Sequence, residues 1–267
     1  MEMGIDVAKG HDKAVVTYPI AEIFSSPQGE GVYSGQFQTF IRLAGCTVGK
    51  PYPKKKAVES FVVNVCARMG NTHWCPRECT PVVELPIYTE KCTLYDGREF
   101  PCDTDYRVHD RLTAEDITNQ IPAGVDDVCI TGGEPLMHDL RPLITYLFGI
   151  GRRIHIETSG TIDKALHPDI WVTCSPKKGV LTSMLVRANE VKILVDEDFD
   201  PERNVGINYL VSLSYKKPVF LHPVNPEKEV SAKNLQLCLD WQIKFPGFRV
   251  GPQMHKAMSS ILNKEIR

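Results

Sequence analysis

Short apolar runs bounded by glycine and proline alternate with segments of helical period along most of this chain. The alternation covers Val15 to Ala44 and resumes at Asp126. Runs of period two indicate strands, and a period of 3.6 residues indicates helices. Strands that alternate with helices imply a mostly parallel sheet, with the chemistry at the C-terminal ends of its strands. The pattern therefore predicts an α/β fold, an open or closed barrel within one large domain.

The periodicity also locates individual elements. Two helices are predicted, over Thr113 to Gln120 and over Asp139 to Phe148, and in the first Thr113 stands at the N-cap with Asp116 at the capping-box position. The predicted strands are Thr17 to Ile23, Thr39 to Leu43, Asp127 to Thr131, Arg153 to Glu157, Ile170 to Cys174, Glu190 to Val195, Val219 to His222 and Phe248 to Gly251.

Charge and hydropathy limit the class of partner. The net charge is -2, from 31 basic and 33 acidic residues, so the whole chain exerts no electrostatic attraction on nucleic acid or on an acidic membrane. No apolar run approaches the roughly 18 residues of a membrane span. The N-terminus has neither a basic region nor an apolar core typical of a signal peptide. We expect a cytoplasmic protein that acts on a small molecule without binding nucleic acid or membrane.

The nine cysteines are an odd number, which argues against a simple disulfide framework. In a reducing compartment, metal ligands and core residues are the better prediction. Cys129 and Cys174 lie in apolar runs and Cys238 in a helical pattern, so we expect all three in the core. The segment from Thr47 to Phe100 breaks the alternation and contains five prolines and four cysteines. We interpret it as an insertion within a single domain of residues 1–267.

The stretch CITGGEPLMH places a glycine pair and Glu134 directly after a predicted buried strand. Without side chains, Gly132 and Gly133 would let a ligand approach the backbone. The alternative is a tight turn that uses glycine for its conformational freedom alone.

Several short motifs together resemble one known family. A cysteine after one strand, followed by GGEP after a later strand, resembles the radical SAM superfamily. Within it, the chain is similar to the 7-carboxy-7-deazaguanine synthase family. The motifs occur in that family's order: SSPQGEGVYSGQFQTFIRLAGC, CDTDY, ITGGEPL, IHIETSGT, CSPKKG, EVKILV, HPVNPE and RVGPQMHK. The resemblance implies a partial (β/α) barrel with the Cys-rich insertion in its cluster-binding loop.

The resemblance further implies a 4Fe-4S cluster held by three cysteines, with S-adenosylmethionine bound at the open iron. The family's usual CX3CX2C spacing is absent here. The flanks RLAGC and CDTDY identify Cys46 and Cys102 as two ligands, and the third comes from Cys66, Cys75, Cys79 or Cys92. We favour Cys92, because it is nearest to Cys102 and a turn signal at Asp96-Gly97 would fold the two thiols together. Three doublings of loop length cost only about 2 kcal/mol of closure entropy.

The insertion contains a second group of potential ligands, Cys66, His73, Cys75 and Cys79. Their spacing would suit a tetrahedral Zn²⁺. Otherwise the three cysteines of this group would be unligated thiols. Alternatively, one of them would be the third cluster ligand, since CPREC reproduces the CX3C half of the usual motif.

The substrate implied by the resemblance is a carboxy-tetrahydropterin. A bidentate guanidinium suits its carboxylate, and Arg42 stands where the family uses an arginine. Gln28 and Glu30 are suited to hydrogen-bond ring nitrogens and exocyclic groups. The resemblance also assigns substrate contacts to Pro27, Gln28, Gly29 and Thr131, and a Mg²⁺ ligand to Thr104.

The S-adenosylmethionine site follows from the same resemblance. The segment from His222 to Asn225 stands where the family usually has Gln-Pro. Glu157 and Ser159 would end a strand at this site, with a helix N-cap by Thr158 or Ser159 as the alternative. The predicted cofactor-binding residues are Gly132, Gly133, Glu134, Glu157, Ser159, Ser175, Pro176, Lys177, His222 and Asn225.

The implied reaction is a lyase-type radical ring contraction. A 5'-deoxyadenosyl radical would abstract hydrogen from C6 of 6-carboxy-5,6,7,8-tetrahydropterin, and loss of ammonia would give 7-carboxy-7-deazaguanine for queuosine-type biosynthesis. An electron donor such as flavodoxin or ferredoxin and a homodimer are also implied. Two other functions stay open. A radical SAM activase of a partner protein would leave PQGEG, Arg42 and CDTDY unexplained, and a zinc-binding interaction protein would leave the barrel-end motifs without a role.

Overall fold

A computed structural model describes residues 16–51, 89–102, 104, 108–199, 206–225 and 230–262. Its strands are β1 (Thr17–Pro27), β2 (Phe37–Leu43), β3 (Lys50–Pro51), β4 (Thr89–Thr93), β5 (Glu99–Pro101), β6 (Asp110–Thr113), β7 (Asp127–Gly132), β8 (Arg153–Thr158), β9 (Trp171–Cys174), β10 (Glu190–Val195), β11 (Val219–Pro223) and β12 (Arg249–Val250). Its helices are α1 (Ala114–Thr118), α2 (Arg141–Gly149), α3 (Thr182–Arg187), α4 (Ile207–Ser214), α5 (Ala232–Lys244) and α6 (Met254–Leu262), with a 3-10 turn at Pro135–Met137.

One mixed sheet of nine strands organises the fold, in the order β12-β11-β10-β9-β8-β7-β2-β1-β6. The strands from β2 to β12 in this order pair in parallel, whereas β1 is antiparallel to both of its neighbours. No pairing joins β12 to β6 within the described ranges, so the sheet is open there. All eight predicted strands are present, and the α/β prediction is confirmed.

The sequence analysis missed β6 because its four residues, DRLT, show no alternation of apolar and polar positions. The adjacent capping box is confirmed. Thr113 Oγ1 accepts a hydrogen bond from the Asp116 N–H at 3.1 Å, and the Asp116 carboxylate accepts one from the Thr113 N–H at 3.1 Å. Helix α1 nevertheless spans only five residues, since the chain turns before Pro122.

The core lies between the sheet and its covering helices. Ile130 and Ile156 of the sheet and Leu143 and Leu147 of α2 are fully buried. Each such side chain contributes about 1.5–3 kcal/mol through the hydrophobic effect. The prediction that Cys129, Cys174 and Cys238 lie in the core is confirmed, since all three are fully buried. In the part of the chain that the structure describes, no helix has the length and apolar character needed to span a membrane.

A second, small sheet joins β3, β4 and β5 in antiparallel order and comprises the described ends of the predicted insertion. The predicted turn at Asp96-Gly97 is confirmed: the Leu94 N–H donates to the Arg98 carbonyl at 2.8 Å, and the Gly97 N–H donates to the Leu94 carbonyl at 3.0 Å. Cys66, His73, Cys75 and Cys79 lie outside the described residues. The domain limits and the full extent of the insertion stay predictions.

The C-terminal ends of β2 and β7 approach each other so closely that only glycine fits. Gly132 lies opposite Leu43 in the parallel register, and a Cβ on Gly132 would overlap the Leu43 carbonyl oxygen. A Cβ on Gly133 would overlap the Gly45 carbonyl oxygen and come within 2.8 Å of the Cys46 Cβ. The glycine pair therefore lets the β2 end and the loop that follows it pack directly against β7. On the side where each glycine would carry a Cβ, the space is filled by the chain itself.

Substitution of Gly132 tests this packing. Gly132→Ala combines a positive φ of 133° with steric overlap, whereas Gly124→Ala has a positive φ of 83° and open space around the new Cβ. We expect Gly132→Ala to lower the unfolding free energy by about 1–3 kcal/mol more than Gly124→Ala does, because overlap forces the backbone apart. Urea unfolding measures both. Equal losses in the two variants would contradict the packing explanation.

Candidate active site

Polar side chains gather at the edge of the sheet where its parallel strands end. Because the strands are parallel, residues near their carboxyl ends share one edge. The central members of this group come from neighbouring parts of the fold: Arg42 of β2, Thr131 of β7, Glu157 of β8, Lys192 of β10 and His222 of β11.

Lys192 forms a buried ion pair with two carboxylates. Its Nζ lies 2.7 Å from Glu30 Oε2 and 3.1 Å from Glu157 Oε1, and its side chain is only 7% exposed. Glu30 lies in the loop between β1 and β2, and Glu157 lies near the end of β8. One ammonium therefore connects the β1–β2 loop to the middle of the parallel sheet.

The positive charge of Lys192 and the negative charges of the two carboxylates stabilise one another. Burial alone would lower the pKa of Lys192, but the carboxylates of Glu157 and Glu30 outweigh it and raise the pKa. Burial alone would raise the pKa of Glu30 and of Glu157, but the Lys192 ammonium, with further hydrogen bonds, holds both pKa values below their ordinary range. Both carboxylates are therefore ionised at neutral pH, and the three groups together carry one net negative charge.

Neutral side chains also donate hydrogen bonds to these carboxylates. Gln28 Nε2 donates to Glu157 Oε1 at 3.2 Å, and Thr131 Oγ1 donates to Glu157 Oε2 at 3.3 Å. Gln253 Nε2 donates to Glu30 Oε1 at 2.6 Å, and Gln253 Oε1 accepts from Asn225 Nδ2 at 3.0 Å. The predicted residues Gln28, Glu30, Thr131, Glu157 and Asn225 therefore belong to one hydrogen-bond network.

The sequence analysis missed Lys192 and Gln253 as members of this network. A signal for Lys192 was present, since a lysine in the otherwise apolar strand EVKILV implies a buried charge that needs partners. The signal for Gln253 was weaker, because it precedes α6 in a polar stretch and reaches Glu30 only through the tertiary fold.

Arg42 and Thr104 lie together, although 62 residues separate them in the chain. Arg42 Nη1 donates to Thr104 Oγ1 at 3.3 Å, and Arg42 Nε lies 3.8 Å from Glu22 Oε2. The Arg42 guanidinium carbon is 5.8 Å from the centre of the Phe24 ring. The structure thus brings the predicted carboxylate-binding arginine next to the predicted Mg²⁺ ligand.

The three cysteines predicted as cluster ligands belong to segments that meet at this edge. The Thr47 hydroxyl, next to Cys46, lies 2.7 Å from the Thr161 hydroxyl, and Leu94, two residues after Cys92, forms an antiparallel bridge with Lys177. Cys102 follows β5, which pairs with β4 beside Cys92. Burial raises the pKa of the Cys92 thiol to about 11. Cys92 is buried, whereas Cys46 and Cys102 are partly exposed. Among the described residues, no three Cys, His, Asp or Glu side chains are grouped closely enough to hold a metal ion.

Glu134 braces the GGEP loop against the end of β8. Its carboxylate accepts hydrogen bonds from Thr158 Oγ1 at 2.8 Å, from the Ser159 N–H at 2.9 Å and from Ser159 Oγ. Its Oε1 also caps the 3-10 turn by accepting from the Leu136 N–H at 3.1 Å. The predicted residues Glu134 and Ser159 therefore bind each other. No helix begins at Thr158 or Ser159, so the alternative that one of them is a helix N-cap is wrong.

The loop SPKKG follows β9 and lies beside the cysteines. The Ser175 N–H donates to the Thr158 carbonyl at 2.8 Å, and the Lys177 N–H donates to the Ser159 carbonyl at 3.2 Å. Lys177 Nζ donates to Ser175 Oγ at 3.0 Å and lies 5.5 Å from the centre of the Phe100 ring. Pro176, which lies between Ser175 and Lys177 in the chain, is buried. Burial lowers the pKa of Lys177.

His222 is fully buried at the end of β11. Neither ring nitrogen has a hydrogen-bond partner of normal geometry in the described part of the chain, although the Gly251 backbone lies close by. Burial lowers the pKa of His222 to about 4, so its ring is neutral at physiological pH. The protein thus encloses this neutral imidazole completely.

Pro27 and Gly29 flank Gln28 at the entrance to the network. Pro27 ends β1 opposite Phe37. The Gly29 carbonyl accepts from the Met254 N–H at 2.9 Å, and a Cβ on Gly29 would overlap the His255 ring. The start of α6 therefore packs on this loop, and the side of Gly29 that would carry a Cβ faces the protein.

Known proteins with similar sequences have one function in common. No family model matches the chain. The chain is 36% identical over 190 residues to the 7-carboxy-7-deazaguanine synthase of Synechocystis sp., an alignment that covers 69% of each protein. It is 31% identical over 258 residues to the 7-carboxy-7-deazaguanine synthase of Escherichia coli K12, covering 91% of this chain and 98% of the relative.

A solved structure agrees with these relatives. The crystal structure of QueE from Escherichia coli superimposes with a TM-score of 0.57 at 29% sequence identity. The superposition covers 90% of this chain and 95% of that one. The radical SAM fold expected from the sequence is thereby supported over nearly the whole length.

Removal of the Lys192 charge tests the ion-pair network. In Lys192→Met, two buried carboxylates lose their cation, and we expect the unfolding free energy at pH 7 to fall by about 3–5 kcal/mol. In the wild type, the folded pKa values of Glu30 and Glu157 lie below the ordinary 4.5, so their contribution is present above pH 4.5 and is lost as the pH falls further. In the variant the carboxyl groups take up protons at higher pH. The difference in unfolding free energy between the wild type and Lys192→Met should therefore be smaller at pH 5 than at pH 7.

Lys217→Met is the matched control for this prediction. Lys217 Nζ donates to the backbone carbonyls of Leu185, Val186 and Ala188. Its loss should destabilise the protein equally at pH 7 and pH 5, since these acceptors do not titrate. Urea unfolding at both pH values gives the comparison. A deficit in Lys192→Met that does not change with pH would refute the proposed charge arrangement.

Proposed function

Because the chain belongs to the 7-carboxy-7-deazaguanine synthase family, we propose that the polar edge of its sheet is the active site for that family's reaction. The protein is an enzyme that contracts the ring of 6-carboxy-5,6,7,8-tetrahydropterin to form 7-carboxy-7-deazaguanine. The observation that supports this proposal is that the segments carrying Cys46, Cys92 and Cys102 meet at the strand ends that hold Arg42 and the Lys192 network. The alternatives of an activase or a zinc-binding interaction protein are not favoured.

We assign three cysteines to the 4Fe-4S cluster that a radical SAM enzyme requires. Cys46, Cys92 and Cys102 would supply the three thiols that leave one iron open. This assignment is supported by the resemblance to the family and by the pairing of the two segments that carry Cys92 and Cys102. When bound, the cluster supplies the electron that cleaves S-adenosylmethionine.

The residues predicted for S-adenosylmethionine lie on the same edge. His222 is assigned to this ligand on the resemblance alone, because its ring is fully buried. Ser175 and Lys177 add a hydroxyl and a cation beside Cys92. Glu134 and Ser159 bind each other, so we assign them to holding the loop in which Gly133 packs against Gly45 and Cys46.

The substrate carboxylate is assigned to Arg42, whose planar guanidinium can bind it in bidentate fashion. The ionised Glu30 can accept hydrogen bonds from the amino and ring N–H groups of a pterin, and the Gln28 amide can donate to its oxygen or unprotonated ring nitrogens. Lys192 keeps Glu30 charged and in place, while Thr131 and Gln28 orient Glu157. The task of these residues is to orient the substrate and exclude water.

The Mg²⁺ ligand, the reaction class and the partners are proposed from the resemblance to the family. Thr104, whose hydroxyl accepts from Arg42, would be a ligand of Mg²⁺. We assign the reaction to the carbon–nitrogen lyases, because ammonia leaves the ring. Flavodoxin or ferredoxin as the electron donor, a homodimer, and Zn²⁺ in the insertion stay predictions.

Turnover is the direct test of this function. We expect the anaerobically reconstituted protein, with S-adenosylmethionine, Mg²⁺ and a reductant, to convert 6-carboxy-5,6,7,8-tetrahydropterin to 7-carboxy-7-deazaguanine and ammonia. Mass spectrometry identifies the product. A reconstituted cluster that cleaves S-adenosylmethionine but leaves the pterin unchanged would contradict the substrate assignment and keep the radical SAM assignment.

Single cysteine substitutions test the cluster ligands. Cys46→Ala, Cys92→Ala and Cys102→Ala should each lose the 4Fe-4S electron paramagnetic resonance signal and most of the bound iron, because each removes one of three thiolates. Cys238→Ala is the control, since Cys238 is buried in α5. A full iron complement in Cys92→Ala would show that the third ligand is Cys66, Cys75 or Cys79.

A further inference from the structure

The hairpin formed by β4 and β5 is fixed to the end of the large sheet. Its turn, residues 94–98, lies over the segments that follow β9 and β10. Leu94 forms an antiparallel bridge with Lys177, and the Lys178 N–H donates to the Thr93 carbonyl at 3.0 Å. Tyr95 in the turn is buried and belongs to the main hydrophobic core. The hairpin is therefore packed against the sheet along its turn.

Arg98 makes most of the polar contacts between this turn and β10. Its Nε donates to Asp96 Oδ2 at 2.7 Å within the turn. On the side of the sheet, Nη2 donates to the Leu194 carbonyl at 2.7 Å and Nη1 donates to the Asp196 carboxylate. The guanidinium carbon also lies 5.2 Å from the centre of the Phe199 ring. One side chain of the hairpin thus reaches two hydrogen-bond acceptors at the end of β10 and the face of an aromatic ring.

These contacts are protected from water, which makes them costly to break. The side chains of Arg98 and Asp96 are 9% and 0% exposed. Hydrogen bonds between charged groups are stronger than neutral ones. Loss of Arg98 would also leave the Asp96 carboxylate buried without its cation. The hairpin can therefore move away from the sheet only when these contacts break.

Two of the three cysteines belong to or follow this hairpin. Cys92 lies on β4 opposite Phe100, two residues before the turn, and it is only 5% exposed. Cys102 follows β5 directly. In the usual CX3CX2C spacing, a short loop alone keeps the thiols near one another, and this chain lacks that loop. In this chain, the contact between the hairpin and the large sheet takes over the task of that short loop.

We propose that Arg98 is a positioning residue for the iron–sulfur cluster: it anchors the hairpin to the end of β10 and so holds Cys92 beside Cys46 and Cys102. This inference rests on the proposed function, in which these three cysteines bind the cluster. Arg98 acts through the backbone of the hairpin and is not itself a ligand.

Arg98→Met tests the anchor in two states of the protein. In the iron-free protein under native conditions, we expect iodoacetamide to modify Cys92 about tenfold faster than in the wild type, because local opening becomes easier. In the reconstituted protein, we expect a chelator to remove the 4Fe-4S signal about tenfold faster, for the same reason. Peptide mass spectrometry measures the first rate and visible absorbance measures the second.

Arg187→Met is the matched control. Arg187 also binds one carboxylate, of Asp163, and one backbone carbonyl, of Lys164, but on a different part of the surface. It should leave both rates unchanged. If Arg98→Met does not fold, Asp196→Asn decides the question, because it weakens the link to β10 and keeps the Arg98–Asp96 pair within the turn. It should accelerate both rates in the same direction.

The outcomes separate this inference from the proposed function. If Cys92 stays as protected in Arg98→Met and Asp196→Asn as in the wild type, Arg98 is not an anchor. If Cys92 becomes reactive while the cluster is retained as before, the hairpin does not position the cluster. A wild type that assembles no cluster would overturn the proposed function and this inference together, and that result appears before any variant is made.

Discussion

The close approach of β2 and β7 is the constraint on which the site depends. Because Gly132 and Gly133 carry no side chains, the end of β2 and the loop with Cys46 pack directly against β7. The same register places Arg42 opposite Thr131. From this seam Glu134 reaches β8, where it binds Thr158 and Ser159. A motif that first suggested ligand contact therefore has an architectural task that is fully visible in the structure.

A second constraint is electrostatic. Two carboxylates buried at the centre of the site would repel each other and tend to take up protons, and Lys192 prevents both. The resulting hydrogen-bond network draws its members from the β1–β2 loop, β8, β10 and the segment before α6. Such a network favours one arrangement of its groups, which is what recognition of a pterin by its hydrogen-bonding edge requires.

The sequence predicted the sheet well because its strands are short apolar runs with clear boundaries, as in Glu190 to Val195, which the structure reproduces without change. It did not predict β6, whose residues DRLT owe their strand to pairing with β1. For the site, the motifs named Gln28, Glu30 and Glu157, because their neighbours in sequence are distinctive. They did not name Lys192 or Arg98, whose roles arise from contacts between residues far apart in the chain. A lysine in an apolar strand indicates that Lys192 needs partners, but local patterns do not identify those partners and give no signal for Arg98.

The central claim is that a hairpin brings a distant cysteine to a cluster site whose usual spacing has been lost. An anaerobic crystal structure of the reconstituted protein, with anomalous scattering from iron, tests it most directly. The account predicts four iron peaks of a single cluster, with three irons bonded to the Sγ atoms of Cys46, Cys92 and Cys102. Iron bonded to Cys66, Cys75 or Cys79 in place of Cys92 would contradict it.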